Sequence, residues 1–227
     1  MRRFQLFIAM ASMSLLAGCA GPDRRPQAAH AVVVEAPVSP VPAVIMDTPR
    51  HELQRLRDLA PDADPGVLAL ALEARGCALR NGEVAADARL AVIDYSLPST
   101  EQRLWIFDIA RGQLLHREYV THGSGSGGNL ARTFSNVDGS YQTSLGLYRT
   151  AETYNGKNGY SLRMDGLDPG FNDNARQRAI VMHGAWYANP DLIRSQGRLG
   201  RSQGCPALRE QVARVVIDEL KQRNLIF

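Results

Sequence analysis

The spacing of apolar residues divides the chain into stretches of different period. Arg2 and Arg3 precede a continuous apolar run, Leu6 to Leu16, that is too short to span a bilayer comfortably. Residues 20–48 are rich in Pro, Ala and Val, show no helical period, and carry Pro37, Pro40 and Pro42, which break any regular element. They predict a semi-extended tether. Leu53, Leu56 and Leu59 then recur at helical spacing. Asp64-Pro65 supplies an N-cap and a first-turn proline for a second helix over Gly66–Leu79. A small helical hairpin is expected over residues 49–82.

Beyond residue 83 the period becomes that of strands. Leu90–Ser96, Arg103–Ile109 and Leu114–Val120 predict a hairpin or meander, with turn residues at Pro98-Ser99 and Arg111-Gly112. Polar turns at Ser135-Asn136, Gly139-Ser140 and Thr143–Tyr148 lead into a strand, and Tyr160–Asp165 and Arg178–Met182 predict further strands. Val212, Val215, Val216 and Leu220 form one face of a helix running from about Leu208 to Arg223. Asn224 ends it, and Leu225-Ile226-Phe227 is expected to close as an edge strand. The expected fold class is mainly β, with a C-terminal helix and the small N-terminal hairpin. No internal repeat is visible.

At 227 residues the chain can hold one good core plus extras. Its 44% hydrophobic and 22% charged content are those of a globular protein. The formal charge of +3 is spread along the chain without a Lys/Arg block interleaved with aromatics, so nucleic-acid binding has no support. The positive start and short apolar run end in Leu16-Ala17-Gly18-Cys19, which resembles a bacterial lipobox. The resemblance implies a signal peptide over residues 1–18, a diacylated Cys19 at the mature N-terminus, and a tether over 19–48. Acyl chains on Cys19 would anchor the protein to a membrane without spanning it. No Asp follows Cys19, which by resemblance to lipoprotein sorting patterns favours the periplasmic face of the outer membrane. In that oxidising compartment Cys77 and Cys205 are the remaining cysteines. Cys77 lies in an apolar helical run and reads as a small buried hydrophobe, leaving Cys205 as the free thiol.

Two residues carry the candidate chemistry. The apolar run Ile180–Met182 delivers His183 onto Gly184, and Cys205 stands between Gly204 and Pro206 in a polar Gly/Arg/Ser/Gln loop. A thiol has a pKa of roughly 8.5 and needs a basic neighbour to act as a thiolate nucleophile, a role that suits His183. Gly204 lets the backbone turn tightly, so that amides around Cys205 can face a developing oxyanion. The Gly/Ser-rich segment from Gly123 to Gly128 is followed by no Gly-Lys-Ser/Thr and no helical pattern, so it reads as a flexible loop, not a phosphate cradle. Nothing sets His122, His183 and Cys205 at metal-ligand spacing, so no metal or other cofactor is expected.

At His183-Gly184 and Ser202-Gln203-Gly204-Cys205-Pro206-Ala207 the chain resembles the L,D-transpeptidases of peptidoglycan, the YkuD-like family. Ser144-Leu145-Gly146-Leu147-Tyr148 resembles that family's Thr-Pro-x-Gly-x-Phe strand, and His122-Gly123 sits where a Ser/Thr-Gly turn precedes it. The likeness covers about residues 88–227 and is greatest to the branch that carries Gly-Arg-Ser-Gln-Gly-Cys-Pro-Ala. It implies a β-sandwich or barrel-like catalytic domain, here drawn over residues 83–227. Cys205 would then be the nucleophile, His183 the base, and the Gly184 carbonyl the group that orients the imidazole. Gly204 and Gln203 would shape the oxyanion site. His122, Ser202, Arg201, Arg209 and Trp186 are the expected substrate contacts, and peptidoglycan stem peptides the expected partners. Gln203 stands where the family usually has His. No Arg follows two residues after Cys205, so Arg201 and Arg209 are the nearest substitutes. The activity implied is transfer of a stem tetrapeptide's acyl group to an amine. Hydrolysis of the same bond, or peptidoglycan binding without turnover, are its alternatives.

Overall fold

The computed structural model describes residues 49–227. The expected signal peptide, Cys19 and the expected tether lie outside the described residues. Two helices come first, α1 (Pro49–Leu59) and α2 (Pro65–Arg80). The Asp64 carboxylate caps α2, accepting from the backbone N–H of Gly66 at 2.7 Å and of Val67 at 3.0 Å, a contribution of about 1 kcal/mol. There follow β1 (Leu90–Ile93), β2 (Leu104–Asp108), β3 (Gln113–Glu118), β4 (Tyr148–Gly156), β5 (Gly159–Gly166), β6 (Val181–Gly184), α3 (Asp191–Gln196), β7 (Ala207–Leu208), α4 (Glu210–Leu220) and β8 (Leu225–Ile226). The mainly β expectation, with helices at both ends, holds.

All the strands join one mixed sheet in the order β3-β2-β1-β8-β4-β5-β6-β7. Side chains alternate between its faces. In β1, Leu90 and Val92 join one core, while Ala91 and Ile93 join the other. In β2, Trp105 and Phe107 face the first core, and Leu104 and Ile106 the second. Helices cover both sides, which is why every residue of β1 and β2 is buried. Leu56 of α1 and Leu68, Ala71 and Leu72 of α2 pack on the first face; Ala213, Val216, Ile217 and Leu220 of α4 pack on the second.

Several sequence expectations change. Leu225–Ile226 is not an edge strand: β8 runs parallel to β1 and antiparallel to β4, in the sheet interior. Its two residues are buried into opposite cores, which an edge could not provide. Helix α4 stops at Leu220 because Gln222 and Arg223 adopt left-handed backbone, with φ of 66° and 63°, to turn the chain into β8. The turns through Thr143–Tyr148 do lead into a strand, β4, which begins at Tyr148 and runs through a polar stretch to Gly156. A register shift between Thr150 and Thr153 interrupts its pairing with β5. Cys77 is exposed, because α2 buries Leu68, Ala71, Leu72, Arg75 and Ala78 and turns Cys77 away. The Gly123–Gly128 segment is tied down: Gly123 bridges to Ser202, and the N–H groups of Gly125 and Ser126 bond to the carbonyls of Tyr141 and Gly123.

Candidate active site

Strands β6 and β7 run parallel at the end of the sheet, with His183 in register with Ala207. This pairing carries Cys205, two residues before β7 begins, back toward the start of β6. The Val181 N–H points at the Cys205 sulfur at 3.5 Å, and the thiol faces the Ala179 carbonyl at 3.8 Å. His183 and Cys205 line one cleft of about 510 Å³, together with Arg178, Ala179, Tyr187, Arg201 and Gln203. Both are nearly enclosed, at 3% and 9% exposure. Tyr187, which the sequence reading did not assign, meets the His183 ring edge-to-face at 6.4 Å.

The tautomer of His183 follows from its partner. Nδ1 lies 2.9 Å from the Gly184 carbonyl oxygen, which can only accept, so Nδ1 carries the proton and Nε2 keeps its lone pair. Burial pulls the imidazole below its ordinary pKa, against the Gly184 hydrogen bond that raises it. Burial pushes the Cys205 thiol up, opposed by the Val181 N–H and by the charge of Arg178. The cleft therefore holds a neutral imidazole and a protonated thiol at neutral pH.

The loop that presents the thiol is built from small residues with defined tasks. The Ser202 hydroxyl donates to the Cys205 carbonyl at 2.6 Å and accepts from the Gly204 N–H at 3.0 Å, closing a tight local turn. Gly204 has a φ of 122°, and a Cβ there would fall 2.8 Å from the Gln142 carbonyl oxygen. A larger residue would push the Cys205 loop off the 135–144 segment. Thr143 clasps the same turn, donating to the Gly204 carbonyl and accepting from the Gly123 N–H. Tyr141 and Ala179, both on the cleft wall, have left-handed backbone with φ of 53° and 52°. Strained backbone at a site wall is held only where the surroundings fix it.

A family model described as the L,D-transpeptidase catalytic domain matches residues 59–227. The chain belongs to that family. Among solved structures it is similar to an L,D-transpeptidase from Mycobacterium smegmatis, at 14% identity over 62% of this chain and 58% of that one, with a TM-score of 0.38. It is similar to an L,D-transpeptidase from Stackebrandtia nassauensis at 12% identity over 77% of this chain and 74% of that one, with a TM-score of 0.36. The helical cell shape determining protein Pgp2 from Campylobacter jejuni gives 14% identity over 63% of this chain and 47% of that one, with a TM-score of 0.39. The alignment thus spans 58% of the length of the Mycobacterium smegmatis protein. No curated protein matches the sequence.

The residues expected from the family resemblance divide into two groups. Gln203, Arg201 and Ser202 line the cleft with His183 and Cys205. His122, Arg209 and Trp186 do not. His122 is wholly buried, and its Nδ1 accepts from Arg103 Nη2 at 2.8 Å. Burial and the Arg103 charge pull its pKa down to about 4, and its Nε2 finds no partner among the described residues. Its carbonyl accepts from the Ser202 N–H, so His122 buttresses the Cys205 loop from behind. Arg209 turns to Glu118, with Nη2 and Nε at 2.7 and 3.1 Å from the two carboxylate oxygens, a bidentate pair that ties α4 to the end of β3. Trp186 is 69% exposed, and its neighbour Tyr187 takes the cleft wall instead. Among the described residues no three His, Cys, Asp or Glu side chains cluster as metal ligands.

Proposed function

We propose that the protein is a cysteine-dependent peptidoglycan L,D-transpeptidase. The observation that carries this reading is the shared cleft. There the Cys205 sulfur and a His183 held by Gly184 with Nε2 unprotonated open onto one space. Cys205 Sγ attacks the carbonyl of the third residue of a stem tetrapeptide, at the L-centre of a diamino acid. His183 Nε2 takes the thiol proton as the S–C bond forms. When the C–N bond breaks, that proton passes to the departing D-Ala amine, leaving a thioacyl-enzyme. An amine from a neighbouring stem then attacks the thioester, gives its proton to Nε2, and the thiol is restored as a 3–3 cross-link forms. The N–H groups of Gln203 and Cys205 make no hydrogen bond among the described residues and are the candidate oxyanion donors. The Gly204 N–H is already given to Ser202, so Gly204 contributes the turn, not a donor.

The lipobox-like Leu16-Ala17-Gly18-Cys19 supports a lipoprotein on the periplasmic face of the outer membrane, with the tether holding the domain toward peptidoglycan. No cofactor is required by this chemistry. Incubation with disaccharide-tetrapeptide, followed by mass analysis of products, tests the reaction. A 3–3 dimer with released D-Ala is expected. Free tripeptide alone would make the enzyme an L,D-carboxypeptidase, and unchanged tetrapeptide with peptidoglycan still pulled down would make it a binding lipoprotein.

A further inference from the structure

We infer that Arg178 is a fixed positive charge that favours the ionised Cys205 sulfur, a positioning residue that acts through the nucleophile and does not clamp substrate. The inference rests on the reading of Cys205 as the nucleophile. Arg178 lines the same cleft as Cys205 and His183. Its Nη2 lies 3.5 Å from where a Cβ on Gly204, the residue before the nucleophile, would stand. The guanidinium is pinned in place: Nη1 donates to the Ser135 carbonyl and the Ser144 hydroxyl, and Nη2 donates to the Ser140 hydroxyl and the Gln142 carbonyl.

Two consequences follow from that bonding pattern. All the acceptors are neutral, and no carboxylate pairs with Arg178 among the described residues, so its charge is not cancelled locally. Four of the five guanidinium N–H groups are also taken, which leaves only Nε–H and no fork for bidentate capture of a substrate carboxylate. A charge that cannot be neutralised and cannot grip acts on its neighbours through space. The half-buried setting weakens solvent screening of that field. Other titratable groups surround the thiol. His183 and Tyr187 stand on the β6 side, Asp138 and Tyr141 on the loop before β4, Lys157 at the β4–β5 turn, and Arg201 on the nucleophile loop. Tyr95 lies behind it. Of these and Arg178, only Arg178 favours the thiolate, pulling the thiol's pKa down against its burial.

Alkylation of Cys205 by iodoacetamide tests this without any peptidoglycan substrate. The thiolate forms an S–C bond, iodide leaves, and the thiol proton goes to buffer. The rate is followed against pH in the full-length protein by the mass of the Cys205 peptide, so that Cys19 and Cys77 do not interfere. Arg178→Gln is expected to raise the midpoint by about one pH unit, slowing alkylation roughly tenfold below it. Arg178→Lys, which keeps the charge but loses the fork, is expected to hold the wild-type midpoint to within about 0.3 pH units. A purely structural role would lower thermal stability without raising the midpoint, so a folded Arg178→Gln protein with the wild-type midpoint overturns the inference. Should Arg178→Gln fail to fold, Arg178→Lys decides, since a midpoint raised by a full unit there would overturn it. If wild type alkylates with this Arg178 dependence yet transfers no tripeptide acyl group, the substrate reading fails and the electrostatic one stands.

Discussion

One hydrogen bond and one desolvation suit His183 to the proposed role of base. The Gly184 carbonyl fixes the Nδ1–H tautomer, and burial keeps the ring neutral below its ordinary pKa. The sign of the pH dependence follows. Protonation of Nε2 removes the base, and the lowered pKa moves that loss to more acidic pH. Acylation of Cys205 by a carbapenem or a tetrapeptide is therefore expected to hold its rate down through about pH 6.5 and to fall only below it. A stopped-flow pH profile checks this, and a half-maximal rate above pH 7 would contradict it. At this scale much was legible in the sequence. A cysteine among Gly, Ser and Gln reads as a loop cysteine, and Cys205 does line the cleft although it is buried against the core. His-Gly after an apolar run reads as a strand end, which β6 is. Arg178 was not legible, because its meaning depends on Ser135, Ser140, Gln142 and Ser144 folding back onto it from far along the chain. The same holds for His122, whose role depends on the buried Arg103 beside it.

At the scale of elements, the Glu118–Arg209 pair joins the last residue of β3 to the residue that precedes α4, and α4 packs on the core face that holds Cys205. The Glu118 side chain is 8% exposed, so removing its partner leaves a buried charge unpaired. Arg209→Met is expected to lose about 3 kcal/mol in denaturant unfolding, with the acylation rate and KM of the folded fraction unchanged. A raised KM with unchanged stability would instead return Arg209 to the substrate. Helix α2 was legible from Asp64-Pro65, since capping is local chemistry. Strands were expected at both β4 and β8, but the extent of β4 was obscured by its polar residues and register shift, and the interior place of β8 by its shortness. Neither carries a period long enough to fix those features.

For the whole molecule, the sheet order is what brings the two candidate catalytic residues together. The chain enters β8 last, yet inserts it between β1 and β4, and β7 pairs in parallel with β6 across the excursion through α3. Such non-local pairings leave no mark in any window of sequence, and the sequence reading accordingly placed β8 at an edge. Both faces of the sheet are covered, and the thiol sits where one core meets the cleft wall. The central claim is that this thiol takes up an acyl group. Intact-mass analysis of the full-length protein after incubation with disaccharide-tetrapeptide tests it most directly. The account predicts an adduct of the disaccharide-tripeptide acyl mass on wild type that maps to Cys205 and is absent from Cys205→Ala. An adduct that persists in Cys205→Ala, or product formation without Cys205, would contradict it.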